Sequence, residues 1–195
     1  MTPTGATGGP GPSDPGAEPV EEVDEDGAVL RIVTRREMRA RGLRHRTVFV
    51  AVVDGDDRLL VHQRAGWKDV WPSAWDIAFG GVCGVAEGWA DAAARELAEE
   101  AGLVAPLARV GGGTWEADGV REVAQVFLAR TDDPPTCPDG EVVATDRVPL
   151  GALDAWLATR PVCPDSVALV RPHLPEPSGP HPGGASADRG LRGAG

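Results

Sequence analysis

The segment "GGVCGVAEGWADAAARELAEEAGL", residues 80–103, constrains this chain more than any other stretch. From Gly88 to Ala101 it is rich in Ala and Glu. Asp91 lies where a first helical turn would be, and Gly102 sits at the position that stops a helix, so the spacing predicts one. Positions i, i+3 and i+4 share a helix face, which sets Glu96, Glu99 and Glu100 side by side at a cost of roughly 0.2–0.5 kcal/mol per close pair. Arg95 can reach Glu99, but one arginine cannot neutralise three carboxylates. Such a face is either solvated or holds a cation. The Gly80-Gly81 pair just upstream, Glu87 and the closing glycine favour the cation. Hard oxygen ligands beside glycines whose carbonyls can approach closely suit Mg²⁺, with Mn²⁺ an alternative.

The rest of the chain reads by periodicity. "AVLRIV" predicts a strand, and "TRREMRARG" a short helix with Thr34 and Glu37 at capping-box spacing and Gly42 as its stop. "RTVFVAVVD" and "RLLVHQR" flank the turn "GDD" and predict a hairpin. "WDIAFGGV" and "REVAQVFLAR" predict strands, "DGEVVATDRVPL" an extended loop, and "LGALDAWLATR" and "PDSVALVRPHL" late helices. Early strands, one strong central helix and helices at the end imply an α+β fold with helices packed on a mixed sheet.

Composition bounds the alternatives. Residues 1–26 and 174–195 are rich in Pro and Gly with few large apolar side chains, so both are expected to be disordered tails around one domain at 27–173. The net charge of -11 argues against nucleic-acid and anionic-membrane partners, and much of the excess lies in the first 26 residues. The N-terminus has neither the basic start nor the apolar core of a signal peptide, so a cytoplasmic location is expected. Three cysteines without a CxxC pair read as reduced thiols. One lysine, Lys68, stands against eighteen arginines, and tyrosine and asparagine are absent. This bias suggests a GC-rich genome and lowers the weight given to any one arginine.

Gly81, Glu87, Arg95, Glu96, Leu97, Glu99, Glu100, Gly102 and Leu103 follow the pattern G-x5-E-x7-R-E-U-x-E-E-x-G-U. That arrangement resembles a complete Nudix box. Its seven fixed positions, at about 7% each, would coincide by chance at on the order of one start in 10⁸. "LRHR" and "KDVWPSAWD" extend the resemblance toward the branch containing isopentenyl-diphosphate isomerases and their hydrolase-like relatives, over about residues 28–160. The resemblance implies an α/β/α sandwich with the box on a loop-helix-loop. It implies Glu96, Glu99 and Glu100 as metal ligands completed by a carbonyl of Gly80 or Gly81, Arg95 orienting the carboxylates, and Glu87 and Gly102 shaping the motif. Glu141 matches a later glutamate that serves as a further ligand or base, while Arg64 and Lys68 are candidates to hold phosphates.

The implied activity is Mg²⁺-dependent hydrolysis of the diphosphate bond in a nucleoside diphosphate linked to a group X, or in a similar organic diphosphate. The isomerase alternative fits less well. Its cysteine would fall at Gly80 or a neighbour whereas Cys83 lies three residues later, its tyrosine is absent, and its own box is degenerate where this one is intact. A nucleotide-sensing domain without catalysis is the other alternative, against which the intact box argues. Trp67, Trp71 and Trp75 read as packing groups or a base platform, and His45 and His62 as structural. The partner is a small nucleotide or organic diphosphate, and a homodimer is left open.

Overall fold

The computed structural model describes residues 14–177. Two strands, β1 (Pro19–Val23) and β2 (Val29–Thr34), form an antiparallel ribbon that leads into helix α1 (Arg35–Arg41). The Thr34 hydroxyl caps this helix by accepting from the Glu37 amide at 3.1 Å, and Gly42 ends it at φ 57°. The expected tail is thereby corrected over residues 14–26: Val20 and Val23 are buried, and Val20 joins Val33, Met38 and Val82 in a cluster beneath the ribbon. Two or three well-placed valines are enough to dock a short strand against a waiting surface, which bulk composition does not register. Residues 1–13 and 178–195, the other parts of the expected tails, lie outside the described residues.

The main sheet is mixed and seven-stranded. Its centre is β3 (His45–Val53), which runs parallel to β8 (Val120–Arg130) along one edge. The other edge is shared between β4 (Arg58–Arg64), paired only at Val52 and Val53, and β6 (Phe79–Val82), paired at Thr47 to Val50. The expected hairpin therefore opens just past its turn, and that opening makes room for the glycine strand. β5 (Trp75–Asp76) and β9 (Val142–Pro149) pair with β4, and β7 (Leu107–Ala117) with β8.

Three expectations change in detail. "WDIAFGGV" breaks into β5 and β6, and the stretch expected as an extended loop is the strand β9. β7 was not expected at all; its run Gly111-Gly112-Gly113 lacks the β-branched signal of a strand.

β3 alternates between two cores, as the two-residue period of a strand requires. Phe49, Ala51 and Val53 face the late helices α3 (Leu153–Leu157) and α4 (Pro164–Val170). Val48, Val50 and Val52 face α2 (Trp89–Glu96). Helices on both faces of a mixed sheet give the expected α/β/α sandwich.

Candidate functional site

α2 follows its cap residue Gly88, carries Asp91 in its first turn, and ends at Glu96. Residues Leu97–Ala101 continue as one π-helical turn, closed by Gly102 in the left-handed region at φ 67°. The wider turn rotates the carboxylates away from the even stripe an α-helix would give. The Glu96 and Glu100 side chains retain 12% and 5% exposure and face inward, whereas Glu99 keeps 56% and stands at the rim. Buried Ala92, Ala93, Leu97 and Ala101 fasten this segment to the sheet.

Arg95 ties the motif together. Its guanidinium donates to both Glu87 oxygens at 2.8 and 2.9 Å, to Glu96 at 2.7 Å and to Glu99 at 3.0 Å. A fifth hydrogen bond reaches the Val82 carbonyl at 3.3 Å. Glu87 also accepts from the Gly84 amide at 2.7 Å, which closes the loop before α2, and Arg95 holds its carboxyl below the usual range. The expected roles of Arg95 and Glu87 thus have matching contacts. The expectation that all three glutamates project side by side is corrected. Arg95 occupies Glu96 and Glu99, and Glu100 turns instead to the Gly80 amide at 3.1 Å. Among the described residues, no three or more His, Cys, Asp or Glu side chains converge in a metal-holding group.

The glycines make room for this arrangement. A β-carbon on Gly80 would run into the Val48 carbonyl of β3, and one on Gly81 would lie 2.8 Å from the Glu96 carboxylate. Burial raises the Glu100 pKa to about 8, and the neighbouring Glu96 pushes in the same direction. Burial likewise raises that of Glu96, against the pull of Arg95. Two enclosed carboxylates thus lean toward their protonated forms.

A cleft of about 860 Å³ opens over these groups. Lys68 and Glu141 lie on its wall, ion-paired with each other, and the Lys68 ammonium is 4.0 Å from Glu100. Arg64 is turned away into an adjoining chamber of about 70 Å³, where it faces Asp76 at 3.8 Å and donates to the Val70 carbonyl at 3.3 Å. The cleft therefore gathers Glu96, Glu99, Glu100, Arg95, Glu141, Lys68, Gly80 and Gly81, but not Arg64. It also includes Arg35 and Arg39 of α1, which the sequence reading passed over. Their signal was present in "TRREMRARG", but arginine abundance had been discounted.

The remaining candidates take structural positions. Cys83 is buried and its thiol is pushed up to about 12 by that burial, so it is no nucleophile. His45 and His62 are buried and held down to about 4, with the His62 ring stacked on Phe79 at 4.5 Å. Trp71 donates its indole N–H to Asp165 at 3.0 Å, and Trp75 packs edge-on against Trp156. Trp67 alone of the three stands exposed at the cleft.

Comparison with known proteins agrees with the geometry. The sequence model described as the NUDIX domain matches residues 43–165. The uncharacterised Nudix hydrolase PA4841 of Pseudomonas aeruginosa is 36% identical over 160 residues, covering 81% of this chain and 94% of that protein. Among solved structures, DR0079 from Deinococcus radiodurans superposes with a TM-score of 0.70 at 20% identity, over 81% of this chain and 100% of that one. The NUDIX domain of Shewanella oneidensis NrtR, solved with ADP-ribose, superposes with a TM-score of 0.54 at 18% identity, over 70% of this chain and 94% of that one. Both structural likenesses speak to the fold.

Proposed function

We propose, from the premise that this chain belongs to the NUDIX domain family and is a Nudix hydrolase, that it cleaves the diphosphate bond of a nucleoside diphosphate linked to a group X, or of a similar organic diphosphate, with Mg²⁺. The observation that carries this reading is the pair of enclosed carboxylates, Glu96 held by Arg95 and Glu100 with its lysine partner 4.0 Å away, in a cleft that also presents Lys68 and arginines. Their all-oxygen donor set, enclosed and with raised pKa values, fits a hard divalent cation. Glu96, Glu99 and Glu100 would hold the ion, with a carbonyl of Gly80 or Gly81, once Arg95 relaxes its hold on the first two. Mg²⁺ bound there supplies Lewis-acid stabilisation of phosphate charge and lowers the pKa of a bound water.

The chain's own groups do the rest. Lys68 binds a phosphate oxygen, which releases Glu141 from its ion pair. The freed Glu141 carboxylate accepts the proton of the water that attacks phosphorus, with Glu99 as the alternative acceptor. The P–O bond to the bridging oxygen breaks as the new P–O bond forms, giving two monophosphates. Arg95 and Glu87 keep the loop and helix in register throughout. Arg64, though turned inward, adds positive charge near enough to favour the ionised form of Glu100. The domain spans 27–173, with the ordered strand β1 before it as an integral part, and the cytoplasm is its place of work.

"LRHR" and "WPSAW" support the isopentenyl-diphosphate-isomerase-like hydrolase branch. Gly80 or a neighbour in the place of the isomerase cysteine, together with a buried, inert Cys83, supports hydrolysis over isomerisation. The ADP-ribose held by the NrtR domain makes that compound the first to try. The test is release of monophosphates with Mg²⁺ from a panel of ADP-ribose, dinucleotides, nucleoside triphosphates and isopentenyl diphosphate. Cleavage of a diphosphate bond is expected. Tight binding without turnover of any compound would replace the proposal with a sensor, and rearrangement of isopentenyl diphosphate would replace it with an isomerase.

A further inference from the structure

The wall of the cleft opposite the carboxylates is built by α1. Met38, buried with Val20, Val33 and Val82, anchors this helix beside the glycine strand that carries Gly80 and Gly81. The anchor directs Arg35 and Arg39, one turn apart, into the cleft. Two cations at i and i+4 repel each other, and a third, Arg64, acts on Arg39 from the inner chamber. Compensation is thin. Arg35 pairs with Glu18 at 2.7 Å, and Glu18 is half exposed. The Nε of Arg39 is buried without a hydrogen-bond partner, its nearest carboxylate being that of Asp69, itself 64% exposed, at 3.4 Å. Burial, with the repulsion from Arg35 and Arg64, moves the Arg39 pKa down.

The cleft thus has one under-partnered group on each wall: Glu100, whose ion-pair partner Lys68 stands 4.0 Å away, and Arg39, whose buried Nε has no hydrogen bond. A ligand that answers both carries a divalent cation at one side and several phosphate oxygens at the other. We infer that Arg35 and Arg39 form an anion clamp that grips the phosphate of a metal-bound diphosphate on the side away from the box helix, so that the N-terminal ribbon and α1 are a binding wall of the site. The inference rests on the hydrolase reading of the same cleft and deepens it, since it names the residues that hold the phosphate on the side away from the box helix. A guanidinium fork matches phosphate oxygens in two directions at once, which an ammonium does not.

The test is titration calorimetry of the full-length protein with imidodiphosphate, whose P–N–P bridge resists hydrolysis, in the presence of Mg²⁺. Wild-type protein is expected to bind. Arg39→Ala and Arg35→Ala should each weaken binding about 10-fold or more, as loss of a charge-assisted hydrogen bond predicts. Arg39→Lys should recover only part of the loss, and Arg41→Ala, on the same helix but paired with Glu37, should bind as wild type. If Arg39→Ala fails to fold, Arg39→Lys and Arg35→Ala carry the comparison. Unchanged affinity in the Arg35 and Arg39 variants, or no binding by wild type, overturns the clamp. Weakened binding in a protein that cleaves nothing in the substrate panel would keep the clamp and reject the hydrolase.

Discussion

Glu100 is enclosed to 4% exposure, and its two charge partners are a backbone amide and a lysine 4.0 Å away. Ionising it there is unfavourable unless a cation arrives. Glu100→Gln is therefore expected to reduce turnover of a diphosphate substrate by about 100-fold or more while raising the melting temperature of metal-free protein. Undiminished turnover would refute the metal role. Glu122 offers a separate check away from the box. It is buried among His45, Thr47, Arg39, Asp76 and Asp165, and burial, aided by Asp165, raises its pKa to about 8 from 4.5. The native state keeps a proton that the unfolded chain has already released. This contribution to stability is therefore full below pH 4.5 and is lost as pH rises through about 8. His45 and His62 work in the opposite sense, because their lowered values make stability fall as pH drops from 6.5 to about 4. Between pH 6.5 and 8 Glu122 therefore acts without the histidines and in the same sense as Glu100, so the Glu122 share is the difference between wild type and a Glu122 variant. Thermal melts in a chelator should show a decline there in wild type and a flatter profile in Glu122→Gln, and equal slopes would contradict the buried-acid reading. At this scale the box residues were legible in the sequence because their spacing is local. Which glutamate would be enclosed was not, because that depends on the π-helical turn and on the sheet beneath it.

Among the elements, β1 has a role that composition concealed. Glu21 accepts from the Ala86 amide at 2.9 Å and pairs with Arg46 at 2.7 Å, and Arg46 donates to the Glu87 carbonyl at 3.0 Å. The strand so braces the loop that carries Glu87. Glu21→Ala should cost about 1–3 kcal/mol, a melting-temperature drop of several degrees, and should lower kcat as the loop loosens. Full turnover at an unchanged melting temperature would remove β1 from the site's scaffold. α1, β3, β4, β8 and the box helix could be read from periodicity and caps because a strand or helix buried on one face writes that face into its own residues. β7 and β9 could not. β9 depends on β4, supplied by distant chain, and its polar run carries little intrinsic preference, whereas β7 pairs with β8 across the adjoining Asp118-Gly119 turn and was masked by Gly111–Gly113, which carry little strand preference.

For the whole molecule, a ligand that binds the native state alone must raise its stability. Mg²⁺ at about 100 times its dissociation constant should add about 2.7 kcal/mol, or roughly 5–10 °C in melting temperature for a chain of this size. The shift should vanish in Glu100→Gln. Absence of any shift in wild type would count against metal at the carboxylate wall. No helix among the described residues is long and apolar enough to cross a membrane. Taken alone, the sequence determined the family, the α/β/α layering and one wall of the cleft. These rest on short-range spacing, with the glycines, Glu87, Arg95 and the three glutamates lying within 22 residues of chain, 81–102. Only the tertiary structure decided the opposite wall. Arg35 and Arg39 lie more than fifty residues before Glu96, and they face it because four buried apolar side chains, Val20, Val33, Met38 and Val82, dock the ribbon and α1 beside the glycine strand. Packing between distant segments leaves no period in the sequence, so the carboxylate wall could be foreseen and the guanidinium wall could not.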